Sequence, residues 1–219
     1  MTHPARDLLR TTTAALAPDP DANPLVPRIA AGTAPRAALA ALALEQAWVI
    51  PADRRAFEHL AVRSAATDPQ AAAFFTTLAQ GEALAGERLA AFARACRAQE
   101  TSHEPLPGCQ AYPAHVAWLA LNAAPADVVL ALTANFSAWG GYCAIIATAL
   151  RERYGFTDEA CAFFDLFAEP SPDLDRLATA AVEAALDAGR LDRQRAHTYG
   201  RLLQTYEAMF WDALSATPS

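Results

Sequence analysis

The chain has 219 residues, of which 53% are hydrophobic and 19% charged, with a formal net charge of −7. This length suits one core rather than two, the apolar content excludes wholesale disorder, and the acidic balance argues against a generic nucleic-acid surface. The sequence contains no lysine, which excludes a phosphate-loop lysine and a Schiff-base lysine.

The N-terminus, MTHPARDLLR, is charged and has no apolar run, so it does not read as a secretory signal. A cytoplasmic protein is expected, with Cys96, Cys109, Cys143 and Cys161 reduced. Their spacings match no zinc or redox motif. Residues 5–16 read as a short helix, residues 18–27 as a Pro/Asp-rich connector, and 25–31 as one or two helical turns. Residues 1–22 read as a peripheral extension of a single helical domain spanning 1–219.

A helix is expected over 33–50, with Leu39, Leu42, Ala43, Gln46 and Val49 along one side. Pro51 is expected to kink it or to start a new helix over 54–65. Asp68–Pro69 is a cap followed by a first-turn proline. It opens a long helix to 97 whose stripe is Phe75, Leu78, Glu82, Ala85, Leu89, Phe92 and Cys96. Glu82 is out of place on that stripe, and Gly81 and Gly86 beside it suggest a close helix approach. Residues 100–108 read as a polar loop, and 112–122 as a helix with Tyr112, His115, Val116 and Leu119 on one side.

Pro125 opens the most apolar segment, and Gly155 closes it as a C-terminal cap. Val128, Leu132, Asn135, Trp139, Tyr142, Ile146 and Leu150 form one stripe. Ala134, Ala138, Gly141 and Ile145 line another side. A helix apolar all round is expected to be wrapped by others. Its length also raises the question of a membrane span, but Asn135, Tyr142 and two glycines dilute it, and a buried helix is preferred. Thr157, with Asp158 and Glu159, caps the next helix. Ser171–Pro172 caps another that ends at Gly189, and a last helix covers 191–214 with Tyr199, Leu203, Glu207, Phe210 and Leu214 on one stripe. No alternating strand pattern or internal repeat occurs. The fold class is all-α, about eight helices around a central apolar helix.

Glu207 lies among Tyr206, Phe210 and Trp211. A carboxylate among aromatics gains a raised pKa and suits a general acid or base; an offset amphipathic stripe, leaving Glu207 at the water boundary, is the plainer reading. Glu82 and Glu45 share this ambiguity. Asn135 begins a formal glycosylation sequon, Asn-Phe-Ser, or is a buried amide satisfied by a neighbouring helix, or orients a ligand. Gly140–Gly141 fits a close helix crossing. Tyr112 and Tyr142 are core residues or ligand contacts. No metal site is expected: only His103 stands three residues after a Glu, Glu100, and that pair lies in the loop rather than on a helix. There is no Gly-x-Ser-x-Gly elbow, and Cys143 reads as a small buried hydrophobe.

TYEAMFWDAL resembles the C-terminal Tyr-Glu-x-x-Phe-Trp-(Asp/Glu) helix of the TenA/thiaminase II family. LEQAW resembles the family's early helix, which reads Gln-Asp-Tyr in active thiaminases, and CQAYPAH resembles the segment carrying a pocket tyrosine. Helix order agrees over residues 23–215. The resemblance implies a haem oxygenase-like bundle, a fold similar also to pyrroloquinoline quinone synthase, and a homodimer or homotetramer. It keeps Glu207 as the catalytic pocket acid and Tyr112 as a pocket hydroxyl. It places Ala47 where the family has its pyrimidine-contacting aspartate, with Glu45 or Gln46 nearby, Asn135 where it has its nucleophilic cysteine, and Trp139 where it tends to have tyrosine. An amide cannot act as that nucleophile. The ligand-binding residues expected on this basis are Tyr112, Asn135, Trp139, Glu45, Tyr142 and Phe210. The ligand is a small heteroaromatic, thiamin- or pyrimidine-related molecule, with no cofactor, nucleic acid or membrane. A non-catalytic binding or regulatory protein, or less directly a metal-dependent oxidase of the same superfamily, are the alternatives.

Overall fold

Helix boundaries fall where capping chemistry puts them. Asp68 accepts from the backbone N–H of Ala71 at 3.3 Å, Thr157 from Ala160 at 3.3 Å and Asp192 from Arg195 at 3.0 Å, each supplying an acceptor to an orphan first-turn donor. At the other ends, Arg97 and Gly155 adopt left-handed conformations and stop their helices. Ser171 precedes a helix without using its hydroxyl as a cap, and Pro172 stands at its first position.

The computed structural model describes residues 3–19, 23–98 and 103–216. Glu100, half of the Glu-x-x-His pair singled out above, lies outside the described residues. The helices are α1 (Pro4–Ala15), α2 (Leu25–Ala30), α3 (Arg36–Ser64), α4 (Pro69–Cys96), α5 (Pro107–Asn122), α6 (Pro125–Tyr154), α7 (Asp158–Ala168), α8 (Pro172–Asp187) and α9 (Arg193–Ser215). No strand occurs among the described residues. The fold is all-α: eight substantial helices and the six-residue α2.

Three local expectations are corrected. Pro51 does not start a new helix: α3 continues through it to Ser64, and the helix that tolerates the lost N–H is packed extensively against α4. α5 begins at Pro107, five residues before the expected start at 112, because proline at N1 needs no backbone donor. Gly81 and Gly86 do not admit a close helix crossing: a Cβ at Gly81 would meet nothing within 4 Å, and one at Gly86 would make an ordinary 3.5 Å contact with Ile50.

α6 is the axis of the bundle and packs against α1, α2, α4, α7, α8 and α9. Its first half is buried continuously from Ala126 to Leu132. The second half is not wrapped as expected: Ser137, Gly141, Ala144, Ile145 and Thr148 form an exposed stripe, because the surrounding helices cover only the opposite side there. Among the described residues it is the one helix long and apolar enough to cross a membrane, and 44% of that apolar window is buried inside the bundle.

The core has two apolar halves. One contains Leu39, Leu42, Phe92, Phe163, Phe164 and Trp211. The other contains Phe57, Phe74, Phe75, Val116, Leu119 and Leu203. Four helices change from one half to the other at a buried polar residue. On α3 Asp53 stands between Ile50 and Ala56, and on α4 Glu82 stands between Ala79 and Ala85. On α6 Asn135 stands between Leu132 and Cys143, and on α9 Glu207 stands between Leu203 and Phe210. Tyr112 of α5 touches both halves. A polar layer therefore crosses the middle of an otherwise apolar bundle, and each of its charges is expensive to bury without a partner.

Candidate functional site

This polar layer encloses a cavity of about 60 Å³. α3 contributes Gln46, Val49, Ile50 and Asp53, α4 contributes Glu82, and α5 contributes Tyr112. α6 contributes Asn135, Phe136 and Trp139, α7 Phe167, and α9 Glu207 and Phe210.

One side of the cavity is a hydrogen-bonded chain. Tyr112 donates from its hydroxyl to Asn135 Oδ1 at 3.0 Å. Asn135 donates from Nδ2 to Glu207 Oε2 at 2.6 Å. The Trp211 indole N–H donates to Glu207 Oε1 at 3.3 Å. Each carboxylate oxygen of Glu207 thus has a donor, and the amide of Asn135 is used at both ends. The sequon reading of Asn135 is physically closed off, since the residue is buried and its side-chain nitrogen is engaged.

Burial pushes the Glu207 carboxyl up to about 7, against the opposing effect of the bonds from Asn135 and Trp211. Asp53 is pushed up to about 8 by burial. Glu82 is held well above the usual carboxylate range, first by burial and then by the charge of Asp53. The Tyr112 hydroxyl is raised first by burial and then by the negative charges of Asp53, Glu207 and Glu82. A carboxyl group near neutrality can both give and take a proton at cellular pH.

The other walls are aromatic. Trp139 stacks on Trp211 with centroids 5.8 Å apart and meets Phe167 edge-on at 5.8 Å. Phe136 and Phe210, with the aliphatic Val49 and Ile50, complete the apolar lining. The lining thus combines flat apolar walls with a few convergent polar groups. Among the described residues no cysteine, serine or threonine lines the cavity. Among the described residues no group of three His, Cys, Asp or Glu side chains is arranged to hold a metal ion. The four cysteines are free and buried, and the Cys143 thiol is raised well above its ordinary value by burial and then by Glu207, the opposite of what a nucleophile needs.

Five of the seven residues singled out from sequence, Glu207, Tyr112, Asn135, Trp139 and Phe210, line this cavity together. Two do not. Glu45 faces away from it: Oε1 accepts from Leu106 N–H at 2.7 Å and lies 2.7 Å from His103 Nε2, while Oε2 accepts from Gln110 at 2.9 Å. Its carboxyl group clasps the segment leading into α5, and the next residue, Gln46, takes the cavity position. Tyr142 meets Trp211 edge-on at 5.7 Å and faces a separate cleft with Thr13, Pro18 and Ser137. One turn along α6 from Trp139, it has rotated past the cavity.

Asp53, Phe136 and Phe167 are not among the residues expected from sequence, whereas Glu82 is one of the carboxylates that share the ambiguity of Glu207 there. The signal for Asp53 was present: Gln46, Val49, Ile50, Asp53 and Phe57 continue one helical stripe. A kink or a new helix start at Pro51 ends that stripe at Val49, before Asp53. Gly140 marks the close crossing of α6 and α7, where a Cβ would come 2.9 Å from the Phe167 carbonyl oxygen. Gly141 has no such neighbour.

No sequence-family profile matches the chain, and no curated protein matches it. Solved structures do. A domain of unknown function with a haem oxygenase-like fold from Shewanella denitrificans OS217 superposes with a TM-score of 0.69 at 14% identity, over 95% of this chain and 89% of that one. A TenA homologue from Pyrococcus furiosus gives 0.68 at 14% identity over 95% of each chain. A TenA homologue from P. horikoshii OT3 gives 0.67 at 15% identity, over 98% of this chain and 99% of that one. The chain has the haem oxygenase-like fold, in the form shared with TenA homologues.

Proposed function

We propose that this protein is a divergent TenA-like member of the haem oxygenase-like group that binds a small heteroaromatic molecule, thiamin- or pyrimidine-related, in the cavity between α3, α5, α6 and α9. The observation that carries the reading is the convergence of Glu207, Asn135 and Tyr112 on one aromatic-walled cavity. The ring lies between the aromatic walls, Asn135 and Tyr112 orient it, and Glu207 exchanges a proton with it. With an amide where the family's thiol would fall, any hydrolysis proceeds by acid/base assistance to water and not through a thiolate adduct. The proposal includes a cytoplasmic homodimer or homotetramer, which sedimentation of the purified protein checks.

Chromatographic assay of thiamin and its pyrimidine fragments tests the enzymatic reading. Consumption by the wild type should fall at least about 100-fold in Glu207→Gln, while ligand-dependent thermal stabilisation persists. Turnover unchanged by that substitution would remove Glu207 from the chemistry. Among the described residues the lining offers no thiol or serine hydroxyl, and an amide stands where the family's thiol would fall; this favours a second reading, a binding protein without turnover. In that case no analogue is consumed, yet a pyrimidine raises the melting temperature through linkage.

A further inference from the structure

The cavity wall opposite the Glu207–Asn135–Tyr112 chain is different in kind. Asp53 of α3 is 4% exposed and Glu82 of α4 is 8% exposed, and both line the cavity. Asp53 Oδ1 and Glu82 Oε2 are buried with no hydrogen-bond partner among the described residues. Buried polar atoms of this kind are nearly always satisfied, so two in one small cavity call for an occupant. We propose that Asp53 and Glu82 form a cation-accepting subsite, and that the ligand carries a basic nitrogen, a protonated amine or amidine, which docks between the two carboxyl groups. This rests on the reading of the cavity as a ligand site.

The surroundings fix the sign of the charge. The titratable groups facing the pair are Tyr112 from α5 and Glu207 from α9, both acidic. α6 offers the neutral Asn135 and the aromatic Phe136 and Trp139, and α7 offers Phe167. Among the described residues no arginine or histidine lines the cavity. Glu82 feels the charge of Asp53 directly, and two neighbouring carboxyl groups in such an environment do not both ionise, so the empty pair retains a proton. An arriving N–H⁺ group supplies donors to the unpartnered oxygens and favours their charged form, and the retained proton leaves to solvent. A neutral amide of the same shape offers donors but no charge, and leaves the pair protonated. The aromatic walls add attraction for a cation. The absence of any three-residue metal-ligand group among the described residues points to an organic cation.

Benzamidine and benzamide, a charged and a neutral ring of nearly the same shape, serve as probes in calorimetric titration at pH 7.5. The wild type should bind benzamidine at least tenfold more tightly. Its binding heat should vary with the ionisation enthalpy of the buffer, which reports proton release. Asp53→Asn and Glu82→Gln should each lose the preference and the proton release while still binding benzamide. Equal affinity of the wild type for the two rings, or a preference that survives both substitutions, overturns the proposal; the wild-type comparison decides without any variant. If both rings bind equally, the ligand cavity stands and this proposal alone falls. If neither binds, both fall together.

Discussion

Asn135 on α6 donates a 2.6 Å hydrogen bond to Glu207 on α9. The bond joins α6 to α9 at the level where the core divides into two apolar halves. It leaves Asn135 with an acceptor for the Tyr112 hydroxyl and Glu207 with a second oxygen for the Trp211 indole. A buried carboxylate is thereby held in one orientation beside a cavity, with its proton affinity raised to the neutral range. That combination is a way to use a charge, and it is a poor way merely to stabilise a core.

Replacing Asn135 by alanine removes the donor to Glu207 and the acceptor of Tyr112. The expected loss is about 1–3 kcal/mol, the cost of leaving buried polar groups unsatisfied. The loss should be greater at pH 8 than at pH 6, because the missing N–H favoured the ionised form of Glu207. Urea unfolding at the two pH values measures both. A loss that is the same at both would separate Asn135 from the ionisation of Glu207.

Stability of the ligand-free protein should fall as pH rises from about 5 to 8. Glu207 is raised from 4.5 to about 7 and Asp53 from 3.8 to about 8. Each acid therefore loses its proton in the unfolded chain at lower pH than in the fold, so rising pH favours unfolding between the two values. Below about pH 3 both states are protonated and the penalty vanishes. Glu207→Gln should flatten the pH dependence by about 2–3 kcal/mol across this window, and Asp53→Asn should flatten it as well. A series of denaturant curves checks this, and parallel wild-type and variant profiles would contradict it.

Gly140 and Gly141 should respond oppositely to alanine. At Gly140 the new Cβ would lie 2.9 Å from the Phe167 carbonyl oxygen, so α7 must shift and move a cavity wall. A cost of about 1–3 kcal/mol and weaker ligand binding are expected. At Gly141 a Cβ meets nothing within 4 Å on an exposed face, and alanine should stabilise the helix by up to about 1 kcal/mol. Thermal melts of both variants decide.

Glu45→Ala should loosen the entry to α5 without touching the cavity. His103, Leu106 and Gln110 would lose their common acceptor, at a cost of about 1–3 kcal/mol. Hydrogen exchange of Leu106 and its neighbours should accelerate, while the affinity of the folded protein for ligand stays unchanged. A large affinity change would place Glu45 in the site after all.

Much of this was legible in the sequence because it rests on local rules. Asp68–Pro69, Thr157 and Gly155 punctuate helices by capping chemistry that needs no tertiary information. Glu207 and Asn135 stood out because a charge or an amide on an apolar helical stripe has few explanations. Asp53 was missed for a tertiary reason: whether a helix survives a proline depends on what holds its two halves, and α4 does so here. Glu45 and Gln46 could not be separated by sequence, since which of two adjacent residues enters a cavity is set by the helix's rotation. The open face of α6 was likewise illegible, because periodicity shows an apolar helix but not how far its neighbours extend along it.

A crystal structure with 4-amino-2-methylpyrimidine at saturating concentration tests the central claim most directly. The account predicts the ring between the aromatic walls, with a ring or amino nitrogen in hydrogen-bond distance of the Glu207 carboxylate and Tyr112 and Asn135 still linked beside it. A ring bound elsewhere, with the cavity between Tyr112, Asn135 and Glu207 unfilled, would contradict it.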